Sequence, residues 1–326
     1  MKNKIVLNKP WFDLDGNRIQ AHGGSVKYFE GKYYFFGENK QDSKANSGIW
    51  HQGVNCYSSE DLVNWTFENT ILKPGKDLSD PLHPSRIMDR PHIIYNKKNE
   101  EYVMWCKLVG SDENPRDWND QYMGIATSKT ITGEFKLINR IIPLNMSSGD
   151  FDLFVDDDSK AYLVFGKVHT KVIVADLNED YTDLTGEYTE HLHFAGPPLA
   201  REAPAVFKRK NIYYMVTSGT TGYYPNSSMI AKADNMHGPW YIMGDPCIND
   251  IEKNSFNAQI SSVFKVPHKD LHIAIGDRWV IDLLKPLEKS SWKIDTSISE
   301  YVWLPFDFED DMPTLKWQEK WELNLS

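Results

Sequence analysis

Glu202 stands between Arg201 and an Ala203-Pro204 step, just before the apolar run Ala205-Val206-Phe207. A polar turn at 208–211 follows, and then a strand-like run, Ile212-Tyr213-Tyr214-Met215-Val216. A carboxyl at the inner end of a strand, crowded by apolar neighbours, holds its proton more tightly than one in water. A general acid needs that property. On this stretch alone the ordinary reading is an ion pair between Glu202 and Arg201, because structural ion pairs are common. Polar residues recur at nearly the same place before other turns: Asp89-Arg90-Pro91-His92, Ser148-Gly149-Asp150-Phe151-Asp152 and Phe256-Asn257-Ala258-Gln259. Carboxyls that converge raise one another's proton affinity. Such a site can keep one acid protonated and another ionised.

The elements that would position these residues repeat along the chain. Short aromatic and β-branched runs follow polar turns at 29–32, 95–100, 156–160, 208–211 and 267–270, which is a strand–turn–strand signal. The units recur at a spacing of roughly 50 to 70 residues, as radial β-repeats do. A second module, in which a strand and a polar bend lead to an aromatic, is present in copies at 56–65, 125–135 and 229–240. Short antiparallel strands in fours make propeller blades. The expected fold is therefore all-β, a five-bladed β-propeller spanning residues 1–326 as one domain. The tail at 303–326, with Trp317 and Trp321, is expected to close the ring or pack on its side. Gly23-Gly24 is expected to let the backbone pass close to something, in a tight bend or beside a ligand. The Asp156-Asp157-Asp158 run, beside Ser159 and Lys160, reads as turn chemistry rather than a calcium site.

Composition excludes several function classes. The 326 residues carry a net charge of −10, with no basic stretch of the kind that nucleic acid needs. Aromatics make up 13%, including 11 Trp and 16 Tyr, enough for a large core and a ligand site besides. Three separated cysteines, Cys56, Cys106 and Cys247, suggest neither a disulfide framework nor a zinc site. The first residues lack the apolar core of a signal peptide, and no later run approaches the length of a membrane span. The expected setting is the cytoplasm, away from membranes. The sequence gives no oligomeric state.

At these residues the chain resembles glycoside hydrolase family 43, and within it the branch of exo-β-1,3-galactanases. The matching features are Ala21-His22-Gly23-Gly24 with Gly37-Glu38, Asp89-Arg90-Pro91, Asp150 through Asp158, and Arg201-Glu202-Ala203-Pro204-Ala205. They continue with 217–222, Pro225-Asn226, Gln259 and Gly276-Asp277-Arg278-Trp279. The resemblance implies a five-bladed propeller and an inverting, exo-acting glycosidase that releases a terminal galactose-type sugar from short oligosaccharides. Glu202 would be the general acid and Asp150 would hold it in position with its proton affinity high. Glu38, Asp89, His22, Thr221, Asp277 and Arg278 would contact the sugar. The wider family places an aspartate base on the first blade, where this chain has His22 and no carboxylate. The galactanase branch shares that absence and uses a glutamine, matched here by Gln259, acting as an imidic base through a proton relay. Glu38 and Asp89 are the fallbacks. Asp89 stands where the branch carries Glu, one methylene longer. Met104-Trp105-Cys106-Lys107 lacks a histidine expected after the tryptophan.

Those departures keep other readings open: arabinofuranosidase, β-xylosidase or galactofuranosidase specificity on the same machinery, or a sugar-binding propeller without catalysis. A sugar phosphorylase would need a basic cluster, and only Arg90, Arg201 and Arg278 stand near the expected mouth. No organic cofactor is implied. The family at large can hold a channel metal such as calcium, for which no ligands are assignable here.

Overall fold

The computed structural model describes residues 3–110, 114, 117, 118, 121–280 and 294–325. Strands come in four-stranded antiparallel sheets, and each sheet follows chain order. Blade one is β2 (His22–Phe29), β3 (Lys32–Glu38), β4 (Val54–Ser59) and β5 (Thr66–Leu72). Blade two is β6 (Ile87–Asn96), β7 (Glu101–Val109), β8 (Gln121–Ser128) and β9 (Lys136–Ile141). Blade three is β10 (Ser148–Val155), β11 (Ala161–Lys167), β12 (Lys171–Leu177) and β13 (Leu184–His191). Blade four is β14 (Arg201–Arg209), β15 (Ile212–Gly219), β16 (Met229–Ala233) and β17 (Tyr241–Gly244). Blade five is β18 (Gln259–Lys265), β19 (His272–Arg278), β20 (Glu300–Glu309) and β21 (Met312–Leu315). The first strands β2, β6, β10, β14 and β18 pack in succession around the axis, and β18 returns to β2. The fold is a five-bladed β-propeller.

Burial follows this architecture. The second strand of a blade is covered on both faces, so β7 and β15 read as nearly continuous buried runs. The fourth strands face water; Thr66, Phe67 and Glu68 of β5 are exposed. The core is a series of wedges between neighbouring blades, such as Met88, Met104 and Cys106 against Phe36 and Cys56. Trp65 and Trp303, both fully buried, fill the wedge that joins blade one to blade five. Truncating a tryptophan of that kind costs about 3–5 kcal/mol.

At the end of the chain Trp303 lies in β20, and 300–315 supply the outer half of blade five. A separate two-stranded ribbon pairs β1 (Asn3–Val6) with β22 (Lys320–Leu323). Trp321 anchors it by donating its indole N–H to the Trp303 carbonyl at 2.9 Å. Trp317 lies outside both pairings, beneath the Arg278 guanidinium. Of the expected tail, Ser326 lies outside the described residues.

Each first strand carries a bulge at one end. The register slips between His22 and Ser25, Asp89 and His92, Ser148 and Phe151, Glu202 and Ala205, and Ile260 and Ser262. Gly23-Gly24, Arg90-Pro91, Gly149-Asp150 and Ala203-Pro204 are the extra residues in the first four. Proline is tolerated in a strand at such a place, and a bulge re-aims the side chains beside it. At Gly24 the approach is closest: a Cβ there would lie 1.6 Å from the Phe36 carbonyl oxygen. The Gly23-Gly24 pair is thus a close backbone crossing.

Candidate active site

The bulged ends share one mouth of the propeller. A cavity of about 760 Å³ opens there, lined from five blades by residues that include Glu38, Asp89, Arg90, Asp150, Glu202 and Gln259. Aromatic surface comes from Trp118, Tyr223, Tyr224 and Trp279.

A regular pairing builds the floor. A polar residue at or near the start of each first strand lies opposite one at or near the end of the second: His22 opposite Glu38, Asp89 opposite Lys107, Ser148 opposite Lys167, Glu202 opposite Ser218, Gln259 opposite Asp277. Four of the five second-strand residues reach across to another blade. Glu38 Oε1 accepts from the Arg90 backbone N–H at 2.9 Å. Lys107 Nζ donates to Asp150 Oδ1 at 3.3 Å. Ser218 Oγ accepts from Gln259 Nε2 at 2.8 Å. Asp277 accepts from the Gly23 backbone N–H and meets His22 Nδ1, both at 2.8 Å.

At the centre, Arg90 Nη2 donates to Asp150 Oδ2 at 3.2 Å and also to the Gln259 amide oxygen. Gln259 Nε2 in turn donates to Glu202 Oε1 at 3.2 Å. Burial raises Asp150, but the charges of Arg90 and Lys107 outweigh it and hold this carboxyl below its ordinary range. Burial and the Asp150 charge push Glu202 the other way, up to about 8, against the pull of Lys107, Arg90 and the Gln259 hydrogen bond. Near neutral pH Glu202 is therefore a carboxylic acid beside the Asp150 carboxylate.

The ion pair expected between Glu202 and Arg201 is not formed. Successive strand residues face opposite sides. Arg201 turns away and donates to Thr217 Oγ1 at 3.0 Å, the Thr217 carbonyl at 2.8 Å and the Ser227 carbonyl at 3.2 Å. Burial brings it down to about 10.

The remaining expected site residues divide. Glu38 and Asp89 line the cavity. Glu38 is paired with Lys40 Nζ at 2.6 Å, and burial pushes it up to about 8 against that cation. Asp89 Oδ1 accepts from the Trp50 indole N–H at 2.6 Å. Thr221 also lines the cavity, but its hydroxyl holds its own loop, donating to the Tyr224 carbonyl at 2.7 Å. His22 does not reach the cavity. It is fully buried, stacked on Tyr301 with ring centroids 4.8 Å apart, and paired with Asp277. Asp277 borders only a narrow crevice behind Gln259. Arg278, one residue on and facing the other way, donates to Asn8 Oδ1 and to the Phe256 carbonyl. These three support the mouth instead of lining it.

His92 is likewise sealed, with Nδ1 2.8 Å from Asp152 Oδ1, while Asp152 Oδ2 accepts from the Val206 backbone N–H at 2.7 Å. Asp156 pairs with Lys208 at 2.6 Å and caps its own turn, in keeping with a turn role. Among the described residues no three His, Cys, Asp or Glu side chains converge as a metal-ligand set. No helix among them is long and apolar enough to cross a membrane.

Sequence reasoning missed Trp118, Lys167 and Tyr223 in this wall and Lys40 and Trp50 behind it, and gave Lys107 no role. The alignment of each second strand's last polar residue with the start of the first would have found Lys107 and Lys167. Trp50 and Tyr223 sit in loops that follow second strands, where no periodicity marks them.

Comparison with known proteins agrees with this geometry. The family described as glycosyl hydrolases family 43 matches residues 19–275. A solved β-1,3-galactosidase of that family is 32% identical at a TM-score of 0.85, over 99% of this chain and 64% of its own. The exo-β-1,3-galactanase of Phanerochaete chrysosporium, solved with β-1,3-galactotriose, is 29% identical at a TM-score of 0.84, over 99% of this chain and 69% of its own. A curated β-xylosidase of Bacillus subtilis (strain 168) is 24% identical over 289 residues, which is 83% of this chain and 50% of that protein. The chain thus spans about half the length of that curated relative.

Proposed function

The chain belongs to the glycosyl hydrolases of family 43, and from that premise we propose that it is an inverting, exo-acting glycoside hydrolase releasing a terminal galactose-type sugar from short β-1,3-linked oligosaccharides. The observation that carries the reading is Glu202, half-buried in the cavity lining with its pKa up at about 8, in the field of an ionised Asp150. Glu202 gives its proton to the glycosidic oxygen as the bond to the anomeric carbon breaks. The negative charge of Asp150 both strengthens Glu202's hold on the proton beforehand and opposes the positive charge that grows on the sugar ring.

Water must attack from the opposite face, which in inverting enzymes separates acid and base by roughly 6.5–9.5 Å. Gln259, 3.2 Å from Glu202, lies beside the acid and fixes its orientation. To serve as the base its amide oxygen must leave Arg90 and turn towards the water, and Ser218 offers the amide nitrogen a hinge point.

The exo reading rests on the galactanase-type neighbours. In the cavity lining the Tyr223 ring packs between Trp50 and Trp279, with centroids 6.2 and 5.6 Å away, and offers aromatic surface to a sugar. The test is β-1,3-galactobiose followed by proton NMR. Release of galactose first as the α-anomer supports the proposal, and an inert mixture at high enzyme concentration defeats it.

A second reading, β-xylosidase or arabinofuranosidase specificity on the same machinery, is favoured by the curated relatives. A nitrophenyl glycoside panel separates the two, with the galactoside expected to be turned over fastest.

A further inference from the structure

Four of the five second-strand residues that face the mouth are engaged by another blade, as described above; the fifth, Lys167, is not. Among the described residues its ammonium has no hydrogen bond or ion pair, although it lines the cavity and is half-buried. The other charges of the mouth are accounted for. Glu38 has Lys40, Asp150 has Arg90 and Lys107, Asp89 has the Trp50 N–H, and Arg201 has three neutral oxygens.

By the rule the other blades follow, Lys167 would reach to blade four, where Glu202 stands near the start of the first strand. An ion pair there would lower the acid's proton affinity and spoil it as a donor. Lys167 makes no such pair; it lines the cavity with only Glu190, on the outer strand of its own blade, acting on it at longer range. His169, two residues on, lines the same wall and is exposed. Its ring lies in the fields of Lys107 and Asp150.

On the glycosidase reading, the aromatic faces of Tyr223 and Trp279 in the cavity lining would take the released sugar, which leaves the blade-three wall to the leaving side of the bond. The remainder of the oligosaccharide must extend past Glu202 towards solvent, and the exposed blade-three wall borders Glu202: a Cβ on Gly166 would lie 3.7 Å from the Glu202 Cα. Resting on the glycosidase reading above, we propose that Lys167, with His169, forms a subsite for an anionic group on the leaving sugar, either the carboxylate of a uronic acid or a sulfate ester. A half-buried ammonium without a partner is suited to a charge-assisted hydrogen bond with such a group. The natural substrate would then be an acidic oligosaccharide, although the protein itself is acidic overall.

The test compares three substrates at low salt: β-1,3-galactobiose, the same disaccharide with galacturonic acid in the leaving position, and the same with a 6-sulfate there. The ratio of kcat/KM for each acidic substrate to that for the neutral one is expected to be about ten, and to fall towards one in Lys167→Met and with added salt. Lys167→Arg should keep the preference. If one acidic substrate is preferred and the other is not, the preferred group identifies the ligand. A ratio near one for both in the native protein, or one unaltered by Lys167→Met, overturns the subsite while leaving the hydrolase standing. Calorimetric titration of Glu202→Gln with the same disaccharides reads the subsite without turnover. Tighter binding of an acidic disaccharide that depends on Lys167 would sustain it even if the native protein cleaved none of them.

Discussion

Two sets of buried polar groups tie the blades of this propeller together, and they differ in what they leave unspent. At the sealed hub, His22 pairs with Asp277, and Asp152 joins His92 to the Val206 backbone. Each carboxylate there meets a donor on both oxygens. At the mouth, Asp150 is held by two cations, but Glu202 meets only an amide N–H and keeps a proton to give. The same residue types, acids beside basic groups in bulged strands, make a clamp where both oxygens of each carboxylate are held and a reactive site where those of one are not.

That contrast gives predictions. The largest concerns the mouth. Glu202→Gln should lower kcat on galactobiose by about 10³-fold, within the range that general acids supply. Stability should move the other way. The folded-state pKa of about 8 lies above the ordinary 4.5, so proton binding favours the folded form. That contribution is fully present below pH 4.5 and is lost as pH rises through about 8. Thermal melts should show less pH dependence over this window in Glu202→Gln than in the native protein.

The hub should respond in the opposite sense. Asp152→Ala leaves His92 Nδ1 and the Val206 N–H without partners, and should cost about 3 kcal/mol in denaturant unfolding. Turnover per folded molecule should remain. A loss of kcat with unchanged stability would make Asp152 part of the mouth rather than the hub.

Lys107→Met is subtler. Removing this cation frees Asp150 to take up a proton at higher pH and lets Glu202 hold its own more tightly. Both limbs of the pH–rate profile should move up by about one pH unit. A shift of only one limb would separate the two carboxyls. Tyr223→Ala should have the smallest effect, raising KM about fivefold through lost aromatic packing, with kcat little altered.

The propeller is visible in the sequence because polar turns and aromatic runs recur, and because the bulge dipeptides Arg90-Pro91 and Ala203-Pro204 punctuate strands that otherwise exclude proline. Glu202, Asp150 and Gln259 are visible as polar residues at the same point of successive units. The partners that tune them are less so. Lys107 and Lys167 close second strands, and their meaning appears only once strand register sets them opposite Asp89 and Ser148. Strand alternation alone rules out both Asp277 and Arg278 facing one cavity, as it rules out the Arg201–Glu202 ion pair. The outer strands of blade five were hidden in the apparent tail because Trp303 looks the same in a closing segment as in a wedge between blades.

The proton on Glu202 can be tested most directly by making it unnecessary. A 2,4-dinitrophenyl galactoside leaves without protonation, whereas galactobiose does not. Glu202→Gln should keep most of its kcat on the dinitrophenyl substrate, lose it on galactobiose, and show no fall in rate near pH 8 on the former. An equal loss on both substrates, or a fall near pH 8 that survives the substitution, would contradict Glu202 as the acid.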